Sequence, residues 1–284
     1  MNINKQQKGF TLVELMIALL LSLIVTYGIA QVLITSNQSS ASSDGVSQAQ
    51  ETARFVMSFL GRQIRSAGLD SITDDDNNTQ AVMGCDIAAL SNVLPVPACS
   101  ANSNAGATEA TITVAAGAIS GDVLAIAWIP PDGVTTDCTG ATIIGFTPGD
   151  TIVNVFGVGF DAASGTNSLI CQGHLFDGVN VTSGTALAIA NGVEAMHVLY
   201  GEATDPLPAN GARNISRYVD ADNVADWERV YAIKIAIMTR SLSDITNEVA
   251  TKQYVMLDSG LYSFNDAVNR QVFSSTFTLS NYRD

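Results

Sequence analysis

A short lysine-bearing leader ends in Lys8-Gly9-Phe10 and runs into an apolar stretch, residues 10–34, whose only carboxylate is Glu14. As a helix rising about 1.5 Å per residue, that stretch is about 37 Å long, enough to cross a bilayer core of about 30 Å. A carboxylate in such a segment costs about 3 kcal/mol at the centre and less near an end, so Glu14 calls for a partner. If the chain is cut after Gly9, the new Phe10 ammonium lies about one helical turn from Glu14. The acid then has a candidate partner in its own N-terminus or in that of a neighbouring copy.

An ordinary secretory signal has a shorter apolar region followed by a small-residue cleavage site. Here Tyr27, Gln31 and Ser36 stand where that site would be. The constellation instead resembles the class III leader of type IV prepilins and pseudopilins: a basic leader (Lys5, Lys8), Gly9 before the cut, Phe10 after it and Glu14 at the fifth mature position. The resemblance implies that a membrane-bound prepilin peptidase cuts after Gly9 and methylates Phe10 to N-methylphenylalanine. Glycine at the cut suits exposure of the backbone and weakens helix there.

Lys5 and Lys8, with no comparable cluster just after the apolar run, place the leader in the cytoplasm and the bulk of the chain across the inner membrane, in the periplasm. That bulk is acidic. The formal charge is −14 and becomes more negative when the leader is lost, which disfavours nucleic acid as a partner. All four cysteines (Cys85, Cys99, Cys138 and Cys171) fall in the exported part, where an oxidising compartment favours two disulfides. Three connectivities exist for four cysteines. Cys85–Cys99 with Cys138–Cys171 is preferred, because each couple flanks a Gly/Pro/Asn/Asp/Thr-rich excursion. With no Cys-x-x-Cys pair and only His174 and His197 as histidines, neither a zinc site nor any other metal site or cofactor is expected.

Ser36 to Gly45 is a run of poor helix formers and reads as a weak point or hinge. Beyond it, Val46, Ala49, Ala53, Val56, Met57, Leu60, Ile64 and Ala67 recur at three- and four-residue steps, the stripe of an amphipathic helix that packs on its own domain, with Gly68 as its stop. The run at 71–78, with Asp74, Asp75 and Asp76, reads as a solvated loop, since it lacks the glycine and distal glutamate of a calcium loop. From residue 111 the rhythm changes to short β-type runs at 111–115, 123–129, 151–158, 168–171, 186–189, 193–200, 230–239, 253–257 and 272–279. No long helical pattern separates them, so antiparallel pairing is expected, with 230–239 as the central strand.

The chain beyond the leader resembles PilW-type minor pilins. Leu60-Gly61-Arg62-Gln63-Ile64-Arg65-Ser66-Ala67-Gly68 is similar to that family's L-x-R-x-I-R-x-A-G segment. Asp137-Cys138-Thr139-Gly140 and Ser168-Leu169-Ile170-Cys171 resemble its spaced cysteines around a strand. Gly192-Val193-Glu194, Ser216-Arg217-Tyr218-Val219, Asp226-Trp227-Glu228-Arg229-Val230 and Thr239-Arg240-Ser241 continue the series in order. An insertion at 70–84 displaces Cys85, and Cys99 has no clear counterpart. The expected fold is therefore α+β and pilin-like: a long N-terminal helix packed on an antiparallel β-sheet ectodomain. Its expected parts are a cleaved leader (1–9), a transmembrane assembly half (10–34) and an amphipathic half (35–68) of one helix, and a periplasmic β-rich ectodomain (69–284).

Catalytic sets are missing from the sequence: no Gly-x-Ser-x-Gly elbow, no His-Glu-x-x-His, no Walker loop. Gly157-Val158-Gly159-Phe160 with Gly165 reads as a glycine-rich turn, His174 as a turn residue, His197 as a satisfied sheet residue and Trp227 as a packing or recognition aromatic. The expected role is assembly of a type IV pilus, not enzymatic turnover. The resemblance implies other minor pilins and the major pilin, the prepilin peptidase, an inner-membrane assembly platform and a PilY-type tip adhesin as partners, and a final place on the cell surface. A type II secretion minor pseudopilin and an N-terminally anchored periplasmic binding protein are the competing readings. Many major pilins carry a helix proline in the apolar segment; here Gly28 and the serine-rich run are the only weak points.

Overall fold

The computed structural model describes residues 9–69, 82–84, 121–131, 136–177, 181–203, 214–242 and 249–280. Two compact units result, Met1–Asp44 and Gly45–Asp284. The strand expected at 111–115, the acidic loop at 71–78, Cys85 and Cys99 lie outside the described residues.

Helix α1 (Leu12–Ser66) supplies the secondary structure of the first unit's described residues and the opening element of the second unit. The stretch expected to be a weak point or hinge, 36–45, has helical backbone throughout, and the boundary between the two units falls within it. Each serine or asparagine loses roughly 0.5 kcal/mol against alanine in a helix, but stopping and restarting would need a second costly nucleus. In the second unit the predicted stripe is the buried one: Ala49, Ala53, Val56, Leu60 and Ile64 are at most 1 % exposed. The helix stops at Gly68, whose φ of 68° is the left-handed C-terminal conformation glycine adopts without penalty. Its N–H donates to the Ala127 carbonyl at 3.0 Å, which ties the helix end to the sheet.

Strands β1 (Val82–Gly84), β2 (Leu124–Trp128), β3 (Thr151–Asp161), β4 (Thr166–Phe176) and β5 (Val181–Ser183) lie side by side in that order, and β6 (Leu187–Asn191) also pairs with β4. A four-stranded sheet runs β12 (Arg270–Thr278), β9 (Val230–Arg240), β7 (Val193–Glu202), β8 (Arg217–Val219). Strands β10 (Ala250–Tyr254) and β11 (Tyr262–Asp266) form a separate pair. Every ladder between these strands is antiparallel, and β9 is central to its sheet, as the sequence predicts. The fold is α+β, with α1 packed on antiparallel sheets. One core joins Val56, Leu60 and Ile64 of α1 to Met196 and Val198 of β7, Ile233, Ile235 and Ile237 of β9, and Leu124, Phe156 and Leu169 of the larger sheet.

Several local expectations need correction. Gly157 and Gly159 sit inside β3, paired with Ile170 and Ser168, because an eleven-pair ladder with β4 outweighs glycine's weak strand preference. The turn comes later, at Gly165 with φ 69°, whose N–H donates to Asp161 O. Residues 255–257 are not strand: Leu257 has φ 47°, and Met256 fills a small apolar cluster with Met238, Ala236 and Tyr262 from a turn.

That cluster holds the β10–β11 pair on one face of the four-stranded sheet, and a buried ion network reinforces it. Arg270 donates through Nε to Glu194 Oε2 at 2.6 Å and through Nη1 and Nη2 to Asp266 at 2.8 and 2.7 Å. Its guanidinium carbon lies 3.7 Å from the Phe264 ring centroid, and Arg240 also reaches Glu194 at 3.2 Å. The Arg270 hydrogen bonds hold the Asp266 carboxyl below its ordinary value, with burial opposing them. A carboxyl so depressed stabilises the fold fully above its unfolded value of about 3.9, and that contribution is lost as pH falls through the lower folded value. Arg270→Met should lower unfolding stability by about 3–5 kcal/mol, because it breaks the buried pair and leaves Glu194 with Arg240 alone. Asp266→Asn should flatten the stability profile below about pH 4. Urea unfolding across a pH series measures both.

Candidate assembly site

The first turn of α1 is closed by a reciprocal cap. Thr11 stands just before the helix, and its hydroxyl accepts the Glu14 N–H at 3.3 Å. Glu14 Oε2 in turn accepts the Thr11 N–H and the Thr11 hydroxyl, both at 3.1 Å. This is a Thr-x-x-Glu capping box, which satisfies two backbone donors that the helix would otherwise leave bare. It also sets a negative charge against the positive end of the helix dipole. Thr11 is the residue the sequence reading passed over, although Thr-Leu-Val-Glu before an apolar run is the signature of this cap. The capping role gives Glu14 a partner in its own chain, while Oε1 makes no hydrogen bond among the described residues.

Along 10–34 no large apolar side chain is covered by its own chain; exposure runs from 52 % at Ile17 to 88 % at Phe10. The polar side chains there turn back on the helix. Ser22 donates to Leu19 O at 2.9 Å, Thr26 to Ser22 O at 2.8 Å, Thr35 to Gln31 O at 3.0 Å, and Gln31 Nε2 to Tyr27 Oη at 3.1 Å. A helix that meets its own polar needs suits a medium with no hydrogen bonds to offer, and its length and hydropathy suffice to cross a membrane. Gly9 and Phe10 are both exposed and non-helical, beside the cap.

In the second unit Cys138 and Cys171 form a disulfide with Cα atoms 6.4 Å apart, the pairing preferred from the sequence. It fastens the loop before β3 to β4. The Cys138 N–H donates to Asn154 Oδ1 at 3.2 Å, and Asn154 Nδ2 donates to Gln63 Oε1 on α1 at 3.1 Å. Loop, sheet and helix are thus linked through one buried asparagine.

The histidines carry structure. His197 lies in β7 between the Tyr262 hydroxyl, 2.5 Å from Nε2, and Asp122 Oδ2, 3.5 Å from Nδ1. An acid, an imidazole and a hydroxyl do come together, but burial pushes the Tyr262 hydroxyl far above its usual value, which is unsuited to a nucleophile. His174 is not in a turn; it lies in β4, with Nδ1 3.0 Å from Ser183 Oγ, and burial lowers its pKa against the opposing pull of Asp137. The strand was obscured by Gly173, where a Cβ would come within 2.3 Å of the Asp137 Cβ. Trp227 packs edge-on against Tyr200 with ring centroids 4.8 Å apart, so its role is packing. Among the described residues no group of three His, Cys, Asp or Glu side chains could hold a metal.

An exposed apolar helix whose amphipathic continuation packs on antiparallel sheets is the plan of a pilin. The prokaryotic N-terminal methylation motif matches residues 4–28, and the family described as type IV pilus-assembly protein W matches residues 155–281. The protein is a membrane-anchored type IV pilin, a structural subunit of the minor class that works with other pilins and the pilus machinery rather than an enzyme. Within that class the family it matches, over residues 155–281, is PilW. No curated protein and no solved structure matches it.

Replacing Cys138 and Cys171 together by serine should lower stability by about 3 kcal/mol, the loop-entropy expectation for a closed loop of this order. Chemical denaturation of the oxidised wild type against the double variant measures it; equal midpoints would remove the disulfide from the account of the fold.

Proposed function

We propose that this pilin primes type IV pilus assembly as part of a minor-pilin complex at the filament tip, after a prepilin peptidase has cut between Gly9 and Phe10 and methylated Phe10. The observation that carries the reading is the capping box under a wholly uncovered apolar helix. In the precursor, Glu14 is held by Thr11. Cutting after Gly9 creates an ammonium next to that cap, and the unused Glu14 Oε1 can accept from such an amine on a neighbouring subunit. A charge-assisted pair of this kind, in a medium of low dielectric, relieves the burial of the carboxylate and sets the axial register between helices.

The proposed division of labour follows the chain. Residues 1–9 are the cytoplasmic leader, 10–34 the segment that moves from lipid into the helical bundle, 35–68 the half that carries the ectodomain, and 69–284 the ectodomain, periplasmic before assembly and surface-exposed after it. Passing from lipid to a bundle of like helices keeps the uncovered side chains away from water throughout. Partners in this scheme are other minor pilins, the major pilin, the inner-membrane platform and a PilY-type adhesin at the tip. The match over 155–281 favours a pilus over a secretion pseudopilin, which would share the leader alone.

Two substitutions separate processing from assembly. Glu14→Val should be cut normally yet enter filaments at least tenfold less, the equivalent of about 1.4 kcal/mol of lost pairing. Gly9→Leu should leave an uncut precursor of unchanged fold. Immunoblots of cell and sheared-filament fractions read both outcomes; normal incorporation of the valine variant would refute the pairing role.

A further inference from the structure

Among the described residues, sheet edges are mostly short or charged. Strands β1, β5 and β8 have three residues each, and β8 opens on Arg217. The β10–β11 pair carries Lys252 and Asp266. Short or charged edges of this kind resist pairing with foreign strands. Strand β12 is different. It has nine residues, and Gln271 to Thr278 contains neither a charge nor a proline. Its register with β9 runs from Arg270↔Arg240 to Thr278↔Ala232 without a bulge. Among the described residues no strand pairs with its other side.

The hydrogen bonds at both ends of the ladder fix which groups point outward. Leu279 N–H donates to Tyr231 O at 2.9 Å, and Ser241 N–H donates to Asn269 O at 2.9 Å. Bonded pairs alternate in an antiparallel ladder, so the odd-numbered residues of β12 bond to β9. The N–H and C=O groups of Val272, Ser274, Thr276 and Thr278 therefore face away from the sheet. The side chains of these four are exposed, and all are hydroxyl-bearing or β-branched. On the opposite face Phe273 and Phe277 are only partly covered. Phe277 rests on α1 at Gly61, where a Cβ would come within 2.7 Å of the ring.

We propose that the outer edge of β12 receives an extended segment of a different pilus subunit, which adds a fifth strand to the four-stranded sheet. The inference rests on the reading that this protein works inside a pilin complex. A second copy is the weaker occupant, because two chains of formal charge −14 repel one another. The incoming segment is recognised by four outward backbone positions and by alternation: apolar side chains on the α1 side to cover Phe273 and Phe277, small or β-branched ones on the other. The edge adjoins the amphipathic half of α1, so a strand added there continues the surface along which pilin helices assemble.

Amide hydrogen exchange on the full chain in detergent tests this, alone and after co-purification with the co-expressed minor pilins of its own cell. The amides of Val272, Ser274, Thr276 and Thr278 should exchange rapidly in the isolated protein and at least tenfold more slowly in the complex. Slow exchange already in the isolated chain would show the edge covered by the protein's own residues. Slowing that appears on concentrating the protein alone would make the occupant a second copy, and unchanged rates in the complex would leave the edge bare. Each of these overturns the proposal. Ser274→Pro removes an outward donor and no ladder bond, and Thr276→Lys places a charge on the edge while keeping every donor. Both should reduce recovery of the other pilins at least tenfold, and wild-type recovery from both would refute edge pairing. Failure of the wild-type chain itself to recover other pilins would instead defeat the minor-pilin complex reading.

Discussion

A helix surface left bare by its own chain from Phe10 to Ile34 must be kept from water by something else, and the remaining features of this pilin answer to that requirement. Burying one leucine-sized side chain is worth about 1.5–3 kcal/mol, so a run of this length cannot be left solvated. Lipid and a bundle of like helices are the two media that meet the need. The segment is built for both: its hydroxyls and amide bond to their own helix, and its one carboxylate is held at the helix start rather than the middle. Because lipid and bundle are similarly apolar, the change of medium is nearly neutral for the aliphatic side chains. In the proposed passage from one to the other, what distinguishes the two is the polar group, and Glu14 is the only carboxylate of the run.

The ectodomain has the opposite character. Its helical stripe, two sheets and β10–β11 pair are fastened by contacts distant in sequence: Asn154 to Gln63, Thr239 to the Ala49 carbonyl at 3.0 Å, and Arg270 to Glu194. The disulfide adds a covalent tie where the loop before β3 meets β4. Such a body presents its surfaces in fixed relation to one another, which is what a subunit recognised by several partners requires.

How much of this could be read from the sequence depends on the range of the forces involved. The stripe from Ala49 to Ile64, the stop at Gly68, the central strand β9 and the antiparallel pairing were all legible, since each follows from local periodicity or turn chemistry. The Cys138–Cys171 pair was legible from its flanking loops. Poor propensity at 36–45 does not interrupt the helix, because ending one helix and starting another costs a second nucleus. His174 and the two glycines of β3 were misread because their places are set by partners far away in the chain: Asp137 lying over Gly173, and β4 alongside Gly157 and Gly159. The cap at Thr11 is the instructive omission. Its signal was local and complete, but Glu14 had already been assigned to an amine made by cleavage.

The central claim is that the carboxylate of Glu14 is shared between a cap inside the subunit and an amine made by cleavage. N-terminal sequencing with mass spectrometry of the protein taken from sheared surface filaments tests it most directly. The account predicts a chain that begins at N-methylated Phe10, followed by Thr11, Leu12, Val13 and Glu14. A filament protein that begins at Met1, or a cut protein never found in filaments, would contradict it.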